Sequence, residues 1–147
     1  MVNAIVIING IVKGTIILKD TKRGLKINCD LKNICEGYHG FHIHEFGDIS
    51  DKANSLGGHY NPENKNHGGI NCINRHKGDL GNLIANKKNH VKYNFYVKNL
   101  KVDELLGRSL VIHEKKDDLG KGNNNESKKT GNSGKRIGYG IIGLMKN

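Results

Sequence analysis

The sequence predicts an all-β fold, an antiparallel sandwich or barrel of eight strands, and three observations predict it. Its regular stretches alternate apolar and polar residues with a period of two, and clusters of Gly, Asn and Asp bound them. No segment holds a helical period over about ten residues. The 147 residues make one domain, 1–147, long enough to bury a single hydrophobic core without help from disulfides.

The elements follow in order. Val2–Ile8 and Ile11–Leu18 are short apolar runs on either side of Asn9-Gly10. In the third strand Leu25, Ile27, Cys29 and Leu31 alternate with Lys26, Asn28, Asp30 and Lys32, so one face is apolar and the other polar. Tyr38–Phe46 is the fourth and Leu80–Ala85 the fifth. The sixth sets Val91, Tyr93, Phe95 and Val97 against Lys92, Asn94, Tyr96 and Lys98. Ser109–Glu114 and Arg136–Leu144 complete the set. Two connections, about 47–79 and about 115–135, are too long for hairpins, and loops of that length inside a domain usually carry function.

Net charge is +10 and the pI about 9.6. Aromatic residues make up only 5% of the chain and none interleave with Lys and Arg as a base-stacking platform requires, so nucleic acid is not the expected partner. Gly120-Lys121-Gly122 lacks the G-x-x-x-x-G-K-[ST] pattern of a phosphate loop. No apolar run approaches the roughly 18 to 20 residues that cross a bilayer. The N-terminal run lacks a basic leader and a small-residue cleavage site, so a soluble, cytoplasmic protein is expected, in the host cytoplasm if the source is viral. Cys29, Cys35 and Cys72 match neither a C-x-x-C motif nor a zinc ribbon and read as free thiols.

The chemistry concentrates in histidine. His42 and His44 stand two apart on a strand, hence on one side and roughly 6.5 Å apart along the chain, where they can converge on one ion. A solvated chance pair and a structural zinc site compete with that reading. His59, His67, His76 and Asp79 follow in a loop whose glycines let the backbone fold around a centre. Three imidazoles and one carboxylate complete a four-coordinate zinc site. His113, in the apolar run Leu110-Val111-Ile112-His113, would be costly without a partner and reads as a third ligand beside His42 and His44. An imidazole-rich site with an open position suits copper. Copper is then short of a fourth imidazole, so one histidine is expected to bridge both metals.

Gly40-Phe41-His42-Ile43-His44-Glu45-Phe46-Gly47-Asp48, Asn61-Pro62, His67-Gly68-Gly69, Arg75-His76-Lys77-Gly78-Asp79-Leu80-Gly81-Asn82, Val111-Ile112-His113-Glu114-Lys115 and Asp117-Asp118-Leu119-Gly120-Lys121-Gly122 resemble the copper/zinc superoxide dismutase family. The resemblance implies a flattened eight-stranded Greek-key barrel with immunoglobulin-like sandwich character. It implies one copper per subunit on His42, His44, His59 and His113. It also implies one zinc per subunit on His59, His67, His76 and Asp79, with His59 bridging. Asp117 takes the place of the carboxylate that orients His42 and His67. Arg136 takes the place of the arginine at the copper mouth. Glu126, Lys129 and Thr130 match the charged guidance loop, from which Asn125 and Lys128 depart toward more positive charge.

The implied reaction is dismutation of superoxide anion to oxygen and hydrogen peroxide, with His59 carrying a proton. The alternative is a catalytically silent relative acting as a decoy or metal buffer, which the complete ligand set and Arg136 argue against. The family's dimer surface falls on Phe46, Gly47, Leu106, Gly107, Ile141, Gly143 and Leu144, implying a homodimer. The family's loop disulfide is missing: Ala53 and Tyr139 stand in its places. The loop must therefore be held by packing, zinc or dimer contacts, and a copper chaperone that oxidises that bond would be dispensable.

Overall fold

A computed structural model describes residues 2–147. The strands are β1 (Asn3–Gly10), β2 (Lys13–Thr21), β3 (Gly24–Lys32), β4 (Gly37–His44), β5 (Asp79–Ala85), β6 (His90–Val97), β7 (Ser109–His113), β8 (Arg136–Ile141) and β9 (Gly143–Leu144). They pair antiparallel in the order β5-β4-β7-β8-β1-β2-β3-β6, with β9 beside β1. The chain crosses over twice, from β3 to β4 and from β6 to β7, which gives the expected Greek-key barrel. It is nearly closed. Across the remaining gap between β5 and β6, the Ile84 backbone N–H donates to the Tyr93 hydroxyl oxygen at 2.9 Å.

The period-two pattern places the core. Leu25, Ile27, Cys29 and Leu31 of β3 are fully buried, and so are Ile16 and Leu18 of β2, paired with Cys29 and Ile27. Phe41 and Ile43 of β4 point into the same core, where the Phe41 ring meets Phe95 edge-on with centroids 6.4 Å apart. The outward residues of β4, His42 and His44, are buried as well, because the two long connections fold over this face. Here both sides of one strand are covered, one by the barrel interior and the other by loops.

Several expectations are adjusted. The last predicted strand, Arg136–Leu144, is interrupted at Ile142, whose carbonyl accepts from Gly107 N–H and whose N–H donates to Arg108 O, both at 2.9 Å. Beyond it the chain pairs with Ala4 and Ile5 as β9. The fourth strand ends at His44 rather than Phe46, since Glu45 and Phe46 turn to hydrogen-bond Gly58 O and Leu56 O. Tyr93 is exposed at the barrel gap rather than inside it. A four-residue helix, α1 (Val102–Leu105), closes the connection between β6 and β7 and is too short to leave a periodic signal. Among the described residues no helix is long and apolar enough to cross a membrane.

Candidate metal centre

His42 and His44 come from β4, and His113 from the adjacent β7 at a register shift after Ile112. His59 joins them from the first long loop, bridged to His44 by backbone pairing. One ligand atom from each of these four residues lies within 4.8 Å of every other. A second group, His42, His59, His67 and Asp79, meets the same limit. His76 touches two members of that group: its Nδ1 is 3.1 Å from His59 Nδ1 and 3.2 Å from Asp79 Oδ1. His59 and His42 belong to both groups, with ring centroids 3.9 Å apart. All seven ligand candidates read from the sequence are thus brought together.

The hydrogen bonds decide which nitrogen each ring offers. His44 Nδ1 donates to Gly57 O at 2.9 Å and His113 Nδ1 donates to Gly134 O at 3.0 Å. A carbonyl can only accept, so each ring carries its proton on Nδ1 and Nε2 is a bare lone pair. Asp117 does the same from the other side: Oδ2 accepts from His42 Nε2 at 2.6 Å and Oδ1 from His67 Nε2 at 2.7 Å, turning both Nδ1 atoms toward the centre. Three of these atoms, His42 Nδ1, His44 Nε2 and His113 Nε2, are buried and make no hydrogen bond, while His67 Nδ1 lies 2.9 Å from Asp79 Oδ2. Three converging, unpaired imidazole lone pairs are costly in a protein interior unless a cation takes them. The residues present therefore fit copper and zinc.

Electrostatics agree with this. Burial pushes His42 and His44 well below the ordinary imidazole range, with the nearby His59 adding to the effect. Burial also brings His113 down to about 4 and lowers His59. These rings are therefore neutral, the form that ligates metal. Burial opposes the charged form of His67 too, but hydrogen bonds to Asp117 and Asp79 outweigh it and raise this group to about 9. Without an ion a proton fills that place. Burial alone would raise Asp79, yet hydrogen bonds from His59, His67 and His76 hold its carboxyl well below the usual range.

A cleft of about 570 Å³ opens onto this centre, lined by His44, His59, His113, Lys115, Glu126, Lys129, Thr130 and Arg136 among others. The predicted guidance residues and the predicted arginine share it. Arg136 also ties down the first loop, donating from Nη1 to Ala53 O at 2.8 Å and from Nη2 to Gly57 O at 2.7 Å.

Three supporting residues were given no role by the sequence. Asn82 holds the Asp117 backbone, donating from Nδ2 to its carbonyl at 3.0 Å and accepting its N–H at 2.7 Å. Gly131, at φ +75°, leaves no room for a Cβ between Asp117 and His67. His39 is buried with its ring spanning His113 O at 2.8 Å and Cys35 O at 2.7 Å.

Two adjoining imidazole-rich groups on the covered outer face of an antiparallel barrel, joined through shared rings and opening to a basic cleft, define a candidate two-metal centre. The family described as copper/zinc superoxide dismutase (SODC) matches residues 12–142. A superoxide dismutase [Cu-Zn] from Paramecium bursaria Chlorella virus 1 is 44% identical over 99% of this chain and 80% of its own length. A superoxide dismutase [Cu-Zn] 5 from Dictyostelium discoideum is 45% identical over 86% of each. The chain belongs to the copper/zinc superoxide dismutase family. Its activity is the dismutation of superoxide to oxygen and hydrogen peroxide, with copper and zinc as cofactors.

Proposed function

We propose that His42, His44, His59 and His113 hold the copper of this enzyme and that His59, His67, His76 and Asp79 hold its zinc, one of each per subunit. The observation that carries this assignment is the set of three buried, unpaired ring nitrogens beside His67, whose Nδ1 faces Asp79. Copper supplies a one-electron couple that superoxide can both reduce and oxidise, whereas zinc keeps one oxidation state. His59 points Nδ1 at Asp79 and His76, 2.9 and 3.1 Å away, leaving Nε2 for the side of His42, His44 and His113. A proton held at Nε2 and handed to the product is the task this placement supports. Asp117 fixes the planes of His42 and His67.

Arg136 has five N–H donors and uses two of them on the loop, so further donors and its charge remain for an anion in the cleft. Lys115 and Lys129 line the same opening and take no carboxylate partner among the described residues. The Thr130 hydroxyl donates to Glu126 Oε1 at 3.0 Å and fixes the one acidic side chain there. A basic cleft steers small anions, superoxide dismutases being a standard instance. The rate per bound copper is expected to fall as salt shortens the Debye length from about 30 Å at 0.01 M to about 8 Å at 0.15 M. A flat response at equal metal content would rule the steering out.

The subunit is proposed to form a homodimer through an apolar patch. Gly47 lies against Gly107 O and the Ile141 side chain, and around them Phe46 is 51% and Leu144 68% exposed. Leu106, assigned to the same surface from the resemblance, packs partly into the core. Sedimentation of the metal-loaded protein should give twice the 16.3 kDa chain mass, and Phe46→Asp should shift it toward one chain. A monomer in both cases would end the proposal.

Metal loading is proposed to need no thiol oxidation and no chaperone, consistent with a cytoplasmic protein. Cys29 is buried in the core with its thiol pushed up to about 12 by burial, and Cys35 and Cys72 are exposed and unbonded. Protein kept fully reduced should take up both metals. An obligatory intramolecular disulfide in the intact mass of the loaded protein would contradict this.

A further inference from the structure

Tyr60 and Lys77 each follow a zinc-side ligand in the chain, His59 and His76, and both converge on one distant carboxylate. The Tyr60 hydroxyl donates to Glu104 Oε2 at 3.1 Å and Lys77 Nζ donates to the same oxygen at 2.7 Å. The other oxygen, Oε1, accepts the Lys101 backbone N–H at 3.2 Å, so the carboxylate is held from both ends. Glu104 belongs to α1, in the connection between β6 and β7 that rests on the barrel. Its turn grips Tyr60 a second time, because the Arg108 guanidinium lies 4.0 Å over the Tyr60 ring. Arg108 is itself fixed, donating from Nε to Glu104 O at 2.9 Å and from Nη1 to Glu45 O at 3.0 Å.

The two loop segments held this way are the ones that must be aligned. Tyr60 N–H donates to Ile43 O at 2.7 Å, and Gly78 N–H donates to Tyr60 O at 2.9 Å, so His59 and His76 reach the centre from neighbouring backbones. No disulfide fixes them in place.

We propose that Glu104 is a positioning residue for the zinc-side ligands, a barrel-anchored carboxylate that sets His59 and His76 relative to each other through Tyr60 and Lys77. The ion pair is about three-quarters buried, with side-chain exposures of 24% for Lys77 and 26% for Glu104, so it is less screened than a surface pair. This inference rests on the assignment of His59, His67, His76 and Asp79 to zinc.

Zinc affinity of Glu104→Ala, Glu104→Gln, Tyr60→Phe and Lys77→Met proteins, measured by chelator competition, tests it. Glu104→Ala should weaken zinc about tenfold, the lower end of the 10–100-fold typical when a supporting partner of a ligand is removed. Glu104→Gln keeps an acceptor for Tyr60 but loses the charge for Lys77, and should fall between. Cobalt placed in the zinc site should show an altered visible spectrum in Glu104→Ala, while the affinity of His42, His44 and His113 for copper changes less. Zinc held as tightly by Glu104→Ala as by the wild type would overturn the proposal. So would equal weakening of both metals with an equal drop in the melting temperature of metal-free and loaded protein, since that describes a contact that only supports the fold. Wild-type protein that takes up no zinc would overturn the ligand assignment first, and this inference with it.

Discussion

Removing both metals is expected to lower the melting temperature by about 8–16 °C. Ligand present at about 1,000 times its dissociation constant stabilises the folded state by about 4 kcal/mol, and a domain of this size shifts by roughly 2–4 °C per kcal/mol. The structure gives the effect its physical cause. Metal-free protein keeps three bare ring nitrogens in its interior, on His42, His44 and His113, and an unsatisfied buried polar group costs about 1–3 kcal/mol. It also confines Asp79, fully buried, among His59, His67 and His76. Scanning calorimetry on metal-free, zinc-loaded and fully loaded protein of measured metal content checks this. Zinc alone should recover a large part of the loss, because on the proposed assignment it would join three residues of the long loop to Asp79 at the start of β5. Equal melting temperatures for metal-free and fully loaded samples would show that the buried nitrogens are not an ion site.

The barrel was legible because its information is local and repeated. Alternation in β3 named Leu25, Ile27, Cys29 and Leu31 as inward residues, and all four are fully buried. The candidate ligands were legible for a different reason: six of the eight histidines fall on a strand pair, an apolar strand and one glycine-rich loop, places where an isolated imidazole has little else to do. What the alternation could not convey is the order of events at a barrel's edge. Tyr93 keeps the parity of an inward residue, yet it stands beside the unclosed gap, where its hydroxyl meets the Ile84 N–H.

The supporting residues were hidden because loops have no period. Gly131, His39 and Glu104 act through contacts with residues far along the chain, and nothing in their own neighbourhoods distinguishes them from ordinary polar or turn residues; Asn82 closes a block that the resemblance covers, but its hold on Asp117 appears only in the fold. The resemblance located Asp117 and Arg136, but the bonds from Arg136 to Ala53 O and Gly57 O appear only once the loop is folded. The same holds for the missing disulfide. The sequence showed that Ala53 and Tyr139 cannot make it, and the structure shows the Ala53 backbone held by a guanidinium from the strand that carries Tyr139.

Replacing Arg136 by Ile should therefore reduce activity and loosen the loop together. The guanidinium lines the cleft beside His44, His59 and His113, and losing its charge should slow superoxide capture by at least about tenfold, the lower end of what a focused field adds to an association rate. The two bonds to Ala53 O and Gly57 O are charge-assisted, and such bonds contribute roughly 1.5–3 kcal/mol each. Gly57 O is also the acceptor for His44 Nδ1, so one loop carbonyl links the arginine to a proposed copper ligand. Arg136→Lys separates the two roles. It keeps the charge but lacks the planar fork that reaches two carbonyls at once, so capture should recover in large part while the melting temperature stays low. Steady-state rates at low salt, with both metals quantified, supply one measurement, and calorimetry supplies the other. Full activity in metal-replete Arg136→Ile would remove the arginine from substrate capture, and an unchanged melting temperature in both variants would show that the loop is held elsewhere.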